Sequence, residues 1–258
     1  MDTGNQWQTA NEAGFHLYQD GHYDQAEQIF RAALQAAETF GPEDTRVAVV
    51  LNNLANLCHN QGKLEEAESH YQRALAIRRE KYGPDHPFVA QSMNNMAALY
   101  RELGKLDEAE EFLHKVLVIA EELVGPEHWR ITNCLNNLAA VYMDQTRYAE
   151  ASALFERSLT IRTRFFGADH HSVATTLCGQ AEVALAQAKD AEAETLFKRA
   201  LEIREEKLGA AHPAVAVLIE KYAPLLRKND RADEARALEA KAQAIRAKQT
   251  PAGPAADL

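Results

Sequence analysis

The chain has 258 residues, of which 46% are apolar and 26% are charged, and its formal net charge is −10. It has no basic block, and phosphate binding needs clustered lysine and arginine, so the composition argues against a nucleic-acid partner. It also lacks a stretch of about 20 apolar residues that could span a membrane. Residues 1–15 have neither the basic nor the apolar segment of a secretory signal. We therefore expect a folded cytoplasmic protein without membrane insertion.

The cysteines also indicate a cytoplasmic protein. Cys58, Cys134 and Cys178 are odd in number, and none of them lies in a CxxC spacing. Reduced thiols in a cytoplasmic protein explain this pattern better than a disulfide framework does. Cys58 is predicted to pack between two helices, where a nucleophilic thiol would be buried.

A repeat of 42 residues organises most of the chain. Glycine ends a helical stretch at five positions with this spacing, and each opens a similar segment, such as GPEDTRVA or GPDHPFVA. The positions are Gly41, Gly83, Gly125, Gly167 and Gly209. At Gly125 the residue suits a left-handed helix C-cap, and Pro126 cannot continue the helix. This regular spacing predicts a repeat architecture.

A second register divides each repeat into two helices. A small residue is followed by an alanine and then by a large apolar group, as in Ala55, Ala67 and Tyr71. Antiparallel helices approach closely only where facing residues are small, and the bulky residue fills the space beside them. The other sets are Gly14, Ala26 and Phe30; Ala97, Ala109 and Leu113; Ala139, Ala151 and Phe155; Ala181, Ala193 and Phe197; and Ala223 and Ala235, where Glu239 breaks the pattern.

These registers predict an all-α fold of six helix pairs, because no strand-like alternation appears. The predicted repeats cover about 7–47, 48–89, 90–131, 132–173, 174–215 and 216–248. Together they are predicted to form one solenoid domain over residues 1–248, with the first and last repeats as caps. Residues 249–258 are expected to form a disordered tail.

The spacing of small, alanine and aromatic residues matches the tetratricopeptide (TPR) pattern, although that repeat usually has about 34 residues. Armadillo and HEAT repeats are closer in length and are the competing folds. We prefer the TPR interpretation because the two helices of each repeat are similar in length and the spacing matches. The extra residues fit at the helix ends.

Segments 51–90, 93–117 and 135–170 resemble the repeats of kinesin light chains and of their bacterial relatives. They contain LNNLANLCHNQGKLEEAE and LNNLAAVYMDQTRYAE. The resemblance covers about residues 7–248 and implies a right-handed superhelical solenoid whose first helices line a concave, peptide-binding groove. Since no long heptad segment precedes the repeats, we expect a bacterial, free-standing form rather than a cargo adaptor on a kinesin.

Pairs of asparagines recur shortly before the small position of the first helix. They are Asn52 and Asn53, Asn94 and Asn95, and Asn136 and Asn137. Asparagine is a mediocre helix former, so its repetition suggests a use for the amides. Amides can bind a peptide backbone through donors and acceptors, and in the family groove asparagines at these places contact peptides. Alternatively, the amides bond one another across repeats and set the stacking. We expect the second of each pair to face the groove.

One turn further, the predicted groove contains Asn56 and His59 in the second repeat, Arg101 in the third and Met143 in the fourth. This mixed surface suits a peptide with some charge and one or two apolar anchors. Arg101 is the clearest cation for an acidic partner group, or else a solvated side chain. The asparagines are absent from the last two repeats, so repeats two to four are expected to form the working groove.

Histidines recur before the first helices, at His86, His128, His170 and His212. A metal needs converging ligands, and a regular stack keeps equivalent loops apart, so we expect these side chains to bond the loop backbone near helix starts. Charged runs such as residues 78–81 are interpreted as solvated helix faces. No catalytic motif appears. The sequence therefore predicts no enzyme activity, no metal and no cofactor.

Three functions remain as hypotheses. The preferred one is a non-enzymatic scaffold or adaptor that binds a peptide or protein segment in the groove. The alternative is a self-assembling structural protein that stacks through its terminal repeats, although the polar helix over residues 231–248 argues against it. A metal-dependent enzyme that uses the loop histidines is the least favoured. We expect a monomer, with at most a weak dimer.

Overall fold

The computed structural model describes residues 3–247, with side chains from residue 5 onward. This part of the chain is helical and contains no strand, which confirms the predicted all-α fold class. A short 3-10 helix, Trp129–Ile131, precedes the α-helix that begins at Thr132. The α-helices are α1 Thr3–Gln19, α2 Tyr23–Glu38, α3 Thr45–Asn60, α4 Leu64–Tyr82, α5 Pro87–Glu102, α6 Leu106–Val124, α7 Thr132–Asp144, α8 Tyr148–Phe166, α9 His171–Ala186, α10 Asp190–Leu208, α11 Pro213–Lys228 and α12 Ala232–Ala247. The predicted tail, residues 249–258, lies outside the described residues.

Consecutive helices pack in pairs, from α1 with α2 to α11 with α12. Residues 103–105 form the short turn inside the third pair. The predicted repeat divisions at 47/48 and 89/90 fall in the first turns of α3 and α5. The structural pairs therefore begin a few residues earlier than the predicted repeats.

The chain divides into two compact units, residues 1–126 and residues 127–258. Among the described residues, unit 1 holds α1–α6, and unit 2 holds the 3-10 helix and α7–α12. In each unit the second helix of one pair packs on the first helix of the next, for example α2 on α3 and α8 on α9. The single solenoid domain over residues 1–248 stays a prediction.

Small residues at the helix crossings form the core of each pair, as the sequence predicts. Ala55 and Ala67 are fully buried, and Tyr71 beside them exposes 1% of its surface. The first pair is tighter at this place, because a Cβ at Gly14 would stand 2.8 Å from the ring of Phe30. Close approach of the two helices therefore excludes a side chain there.

The glycines that end the second helices differ from the predicted left-handed cap. At Gly125, φ is 90° and ψ is 157°, and Gly83, Gly167 and Gly209 have similar values. This region of backbone space is open essentially only to glycine. The Gly125 N–H still bonds the carbonyl of Glu121 at 2.8 Å. Glycine thus ends the helix, but with an extended rather than a helical ψ.

The recurring histidines cap the helices that follow them. Nδ1 of His212 accepts a hydrogen bond from the N–H of Ala214 at 3.1 Å. In the second repeat Asp44 replaces histidine and accepts from the N–H of Arg46 at 2.9 Å. A side-chain acceptor satisfies an N–H of the first turn that has no partner within the helix. The same bond is made by His86, His128 and His170. The predicted backbone role is therefore confirmed.

The interpretation of residues 78–81 as a solvated face is wrong for Arg78, which is only 5% exposed. Its Nη1 donates to the carbonyl of Phe88 at 3.0 Å and to Oγ of Ser92 at 2.8 Å. Burial lowers the pKa of Arg78 below its usual value. The side chain therefore ties α4 to the beginning of α5 instead of extending into water.

Candidate functional site

The residues predicted for the groove all lie on first helices. In unit 1, α1 touches α3 and α3 touches α5, and in unit 2, α7 touches α9. The first helices α1, α3 and α5 of unit 1 therefore form a continuous surface, and so do α7 and α9 of unit 2. We call the residues predicted on it the asparagine face. In unit 1 this face consists of Asn52, Asn53, Asn56 and His59 on α3 and of Asn94, Asn95 and Arg101 on α5. In unit 2 it consists of Asn136, Asn137 and Met143 on α7.

Hydrogen bonds between amides link successive first helices in unit 1. Nδ2 of Asn53 donates to Oδ1 of Asn11 at 2.8 Å, and Nδ2 of Asn95 donates to Oδ1 of Asn52 at 3.2 Å. The cross-repeat bonding of the alternative interpretation is thus present. Asn52 is only 6% exposed and offers a ligand little surface. Asn53, Asn94 and Asn95 are half-buried and keep part of their surface in solvent.

Two further asparagines of α3 bond to tyrosines. The hydroxyl of Tyr71 on α4 donates to Oδ1 of Asn56, and Nδ2 of Asn60 donates to the hydroxyl of Tyr18 on α1 at 2.6 Å. Burial raises the pKa of Tyr71 above its usual value, so its hydroxyl keeps its proton at neutral pH. Asn56 is therefore held within its own helix pair as well as being predicted to face a ligand.

Charged groups stand at one end of the unit 1 face. Nε2 of His59 on α3 lies 3.0 Å from Oε2 of Glu102 on α5, although the geometry is not that of a hydrogen bond. The side chain of His59 is 16% exposed and that of Glu102 is 57% exposed. Arg101 is exposed next to Glu102. Groups of both charge signs therefore lie on the same face as the amides.

The unit 2 face is shorter. Nδ2 of Asn136 donates to Oγ1 of Thr176 on α9 at 3.2 Å, and Asn137 and Met143 are half-buried. The next repeat has Gly179 at the position that corresponds to Asn137.

Gly179 ends the row of amides for a steric reason. A Cβ at this position would stand 2.4 Å from the ring of Phe155 on α8, which is far inside van der Waals contact. The ring occupies the place that an asparagine side chain would need. An asparagine at this position would therefore require Phe155 or the helix to move.

A buried arginine network in unit 2 was missed by the sequence analysis. Arg162 on α8 is 4% exposed, and it donates to the hydroxyls of Thr132 and Thr176, both at 3.0 Å. It also donates to the carbonyl of Ser172 at 2.6 Å and to Oδ1 of Asn133 at 2.7 Å. Burial among these neutral acceptors lowers the pKa of Arg162 to about 10. The network fixes Thr176, the acceptor of the Asn136 amide.

Comparison with known proteins identifies the helix pairs. The sequence matches the tetratricopeptide repeat family over residues 8–80, 46–122, 88–138 and 130–206. A search of curated proteins gives no significant match. Within residues 3–247, every helix is too short or too polar to cross a membrane.

Several solved structures share the fold. BtubC (BKLC) from P. vanneervenii aligns with a TM-score of 0.64 and 20% identity over 100% of this chain and 96% of its own. A putative kinesin light chain of Podospora anserina with nearly identical TPR-like repeats aligns with a TM-score of 0.59 and 24% identity over 78% and 96% of the two chains. A Rap protein complexed with Competence and Sporulation Factor aligns with a TM-score of 0.66 and 13% identity over 95% and 75%.

These comparisons confirm the predicted identification of the repeats as tetratricopeptide repeats. At these identities the solved structures establish likeness of fold, and the family match, which covers more than half of the chain, establishes membership. Folds of this kind are scaffolds for protein interactions. The chain belongs to the tetratricopeptide repeat family.

Proposed function

We propose that this protein is a non-enzymatic scaffold that binds an extended peptide or protein segment on the asparagine faces of its first helices. The observation that carries the proposal is the row of half-buried amides in unit 1, where Asn53 and Asn95 each bond an amide of the preceding repeat. The tetratricopeptide fold supports the proposal. So does the similar Rap protein, which was solved in complex with Competence and Sporulation Factor.

The cross-repeat bonds are compatible with ligand binding. An amide has two N–H donors and an oxygen with two lone pairs. The bond from Asn95 to Asn52 uses one donor of Asn95, so the half-buried amide has further capacity to bind a peptide backbone. The bond also restrains the rotamer of Asn95 before a ligand arrives, which lowers the conformational entropy lost on binding.

The charges on the unit 1 face indicate which segments suit it. Arg101 is exposed beside Glu102, and Glu102 lies close to His59. An acidic group of the partner suits Arg101, while the backbone of the partner suits the amides. On the unit 2 face, Met143 offers a half-buried apolar surface for a single apolar side chain. We therefore propose a segment with an acidic residue for the unit 1 face and a segment with an apolar residue for the unit 2 face.

The test starts from peptides selected on the full-length protein from a random display library. The dissociation constant of a selected peptide is then measured for the wild type, Asn95→Ala and Asn137→Ala. We expect binding at least about tenfold weaker, which is about 1.4 kcal/mol, for the variant of the face that holds the peptide, with an unchanged helical circular dichroism spectrum. Gln72→Ala, an exposed side chain of α4, is the control and should bind like the wild type.

Two results would count against the proposal. Unchanged peptide affinity together with a lower melting temperature would mean that the amides serve only the contact between repeats. Light scattering over a concentration series that reveals growing assemblies would favour the self-associating structural protein instead.

A further inference from the structure

A thiol, a carboxylate and an imidazole converge between the helices of the second pair. Sγ of Cys58 on α3, a carboxylate oxygen of Glu66 and a ring nitrogen of His70 on α4 all lie within 4.8 Å of one another. Nε2 of His70 lies 3.7 Å from Oε1 of Glu66, one helical turn earlier. Cys58 is fully buried, and the side chains of His70 and Glu66 are 19% and 38% exposed. The cluster therefore opens to solvent on its carboxylate side.

The other repeats have apolar residues where Cys58 and His70 stand. In the third repeat these positions hold Tyr100 and Phe112, whose rings stack with centroids 5.6 Å apart. The fourth and fifth repeats hold Leu154 and Leu196 in place of His70. The fold therefore needs only an apolar contact at this place. The second repeat has replaced that contact with two groups that bind metals.

The imidazole of His70 lacks a partner for one of its nitrogens. Nε2 is buried and has no hydrogen-bond partner among residues 3–247. A buried polar atom without a partner costs free energy and asks for an explanation. Burial also lowers the pKa of His70 below its usual value, so the ring is neutral near pH 7, the form in which imidazole binds a metal.

We propose that Cys58, Glu66 and His70 bind one divalent ion of the zinc class in unit 1. Thiolate, imidazole and carboxylate are the three kinds of side chain that ligate zinc, and three protein ligands leave a fourth position for water. Bonds to zinc are about 2.0–2.3 Å long, so side-chain rotation must bring the three ligand atoms closer together than their present limit of 4.8 Å. The site is independent of the asparagine faces and of the function proposed for them.

The charges around the cluster are compatible with a bound cation. Oε1 of Glu66 also accepts a hydrogen bond from Arg31 at 2.9 Å, and Glu27 bonds both Arg31 and Lys63. Two carboxylates thus balance two cations near the cluster. A thiolate at Cys58 would add a third negative charge to offset the ion.

Metal binding at this site must displace a proton. Burial raises the pKa of the Cys58 thiol to about 11, so the apo protein holds the proton at neutral pH. The ion takes the thiolate, and the thiol proton goes to solvent.

The probe is cobalt(II). This ion binds at zinc sites, and its absorption spectrum depends on its ligands. It is titrated into metal-free, full-length protein under a non-thiol reductant, and zinc then displaces it. We expect one cobalt per chain, with a thiolate-to-cobalt charge-transfer band that zinc abolishes. In Cys58→Ala/His70→Leu, the band should disappear and the affinity fall at least tenfold. This variant should fold, because it gives the second repeat the residues Ala184 and Leu196 of the fifth.

Cys178→Ala is the matched control. Burial also raises the pKa of Cys178 to about 11. This variant therefore tests whether any buried thiol gives the thiolate-to-cobalt band. The control should bind cobalt like the wild type. A wild-type spectrum without a thiolate band, or a band that survives in Cys58→Ala/His70→Leu, would overturn the proposal. So would loss of the band in the control.

Discussion

The amide of Asn95 donates a hydrogen bond to the amide oxygen of Asn52, 3.2 Å away on the preceding first helix. Asn52 is buried, so its oxygen would lose this donor if Asn95 were replaced. A buried polar group that loses its partner costs more than the bond contributes. The same amide is therefore part of the contact between repeats and of the proposed binding face.

We expect Asn95→Ala to lower the free energy of unfolding by about 1–2 kcal/mol, because it leaves the Asn52 oxygen buried without this donor. The double variant Asn52→Ala/Asn95→Ala should lose less than the sum of the single variants, since it removes both groups. Urea unfolding followed by circular dichroism measures all three. Strictly additive losses would show that the bond does not couple the two residues.

Arg162 should contribute much more to stability than Arg164, which lies two residues later in α8 and points to a different side of the helix. Arg162→Met should cost about 2–3 kcal/mol, because the hydroxyls of Thr132 and Thr176 lose their donor. The Arg164 side chain is 68% exposed and pairs with Glu127, so Arg164→Met should change stability by less than about 0.5 kcal/mol. Equal losses in urea unfolding would contradict the buried network.

Gly179→Ala should destabilise unit 2. The new Cβ would stand 2.4 Å from the Phe155 ring, so the ring or the helix must shift, which costs about 1–3 kcal/mol. Thr175→Ala, at an exposed position of the same helix, is the control and should melt near the wild-type temperature. A melting temperature of Gly179→Ala equal to that of the control would mean that Phe155 moves without cost.

The contact between the first two pairs should weaken in acid. Glu27 accepts hydrogen bonds from Lys63 and from Arg31, which hold its pKa below the usual value of a glutamate. This contribution is complete above the usual glutamate pKa and is lost as the pH falls through the lower pKa of the folded state. Glu27→Gln should therefore lower the melting temperature at neutral pH, and its difference from the wild type should shrink as the pH falls below the usual glutamate pKa. Glu65→Gln, an exposed residue of α4, is the control. A difference that does not depend on pH would exclude this linkage.

The helix pairing could be predicted from the sequence because its causes are local. Ala55, Ala67 and Tyr71 meet within one hairpin, and any two helices packed closely need small residues at the crossing. The positions where the first helices begin could also be predicted from the sequence. The histidines that recur at the beginning of the third to sixth repeats can satisfy the nearby backbone without help from distant residues.

Contacts between repeats were harder to predict, because they depend on how one pair stacks on the next. Asn52 and Asn53 are neighbours in sequence but point about 100° apart around the helix, and only the stacking decides which one is covered. Arg78 was misread because its neighbours are charged. The recurrence of arginine at the equivalent positions Arg162 and Arg204 was the signal that could have revealed its burial.

The glycine that ends each of α4, α6, α8 and α10 sets a different kind of constraint from the glycines at the crossings. A Cβ at Gly125 would meet no atom within 4 Å, yet a φ of 90° with a ψ of 157° is strained for any other residue. The penalty there arises from the backbone alone and does not grow with side-chain volume. In a saturation mutagenesis scan, Gly125 would separate glycine from every other residue without ranking those residues by size. At Gly14 and Gly179, where a ring fills the space, the scores would fall steadily as the side chain grows.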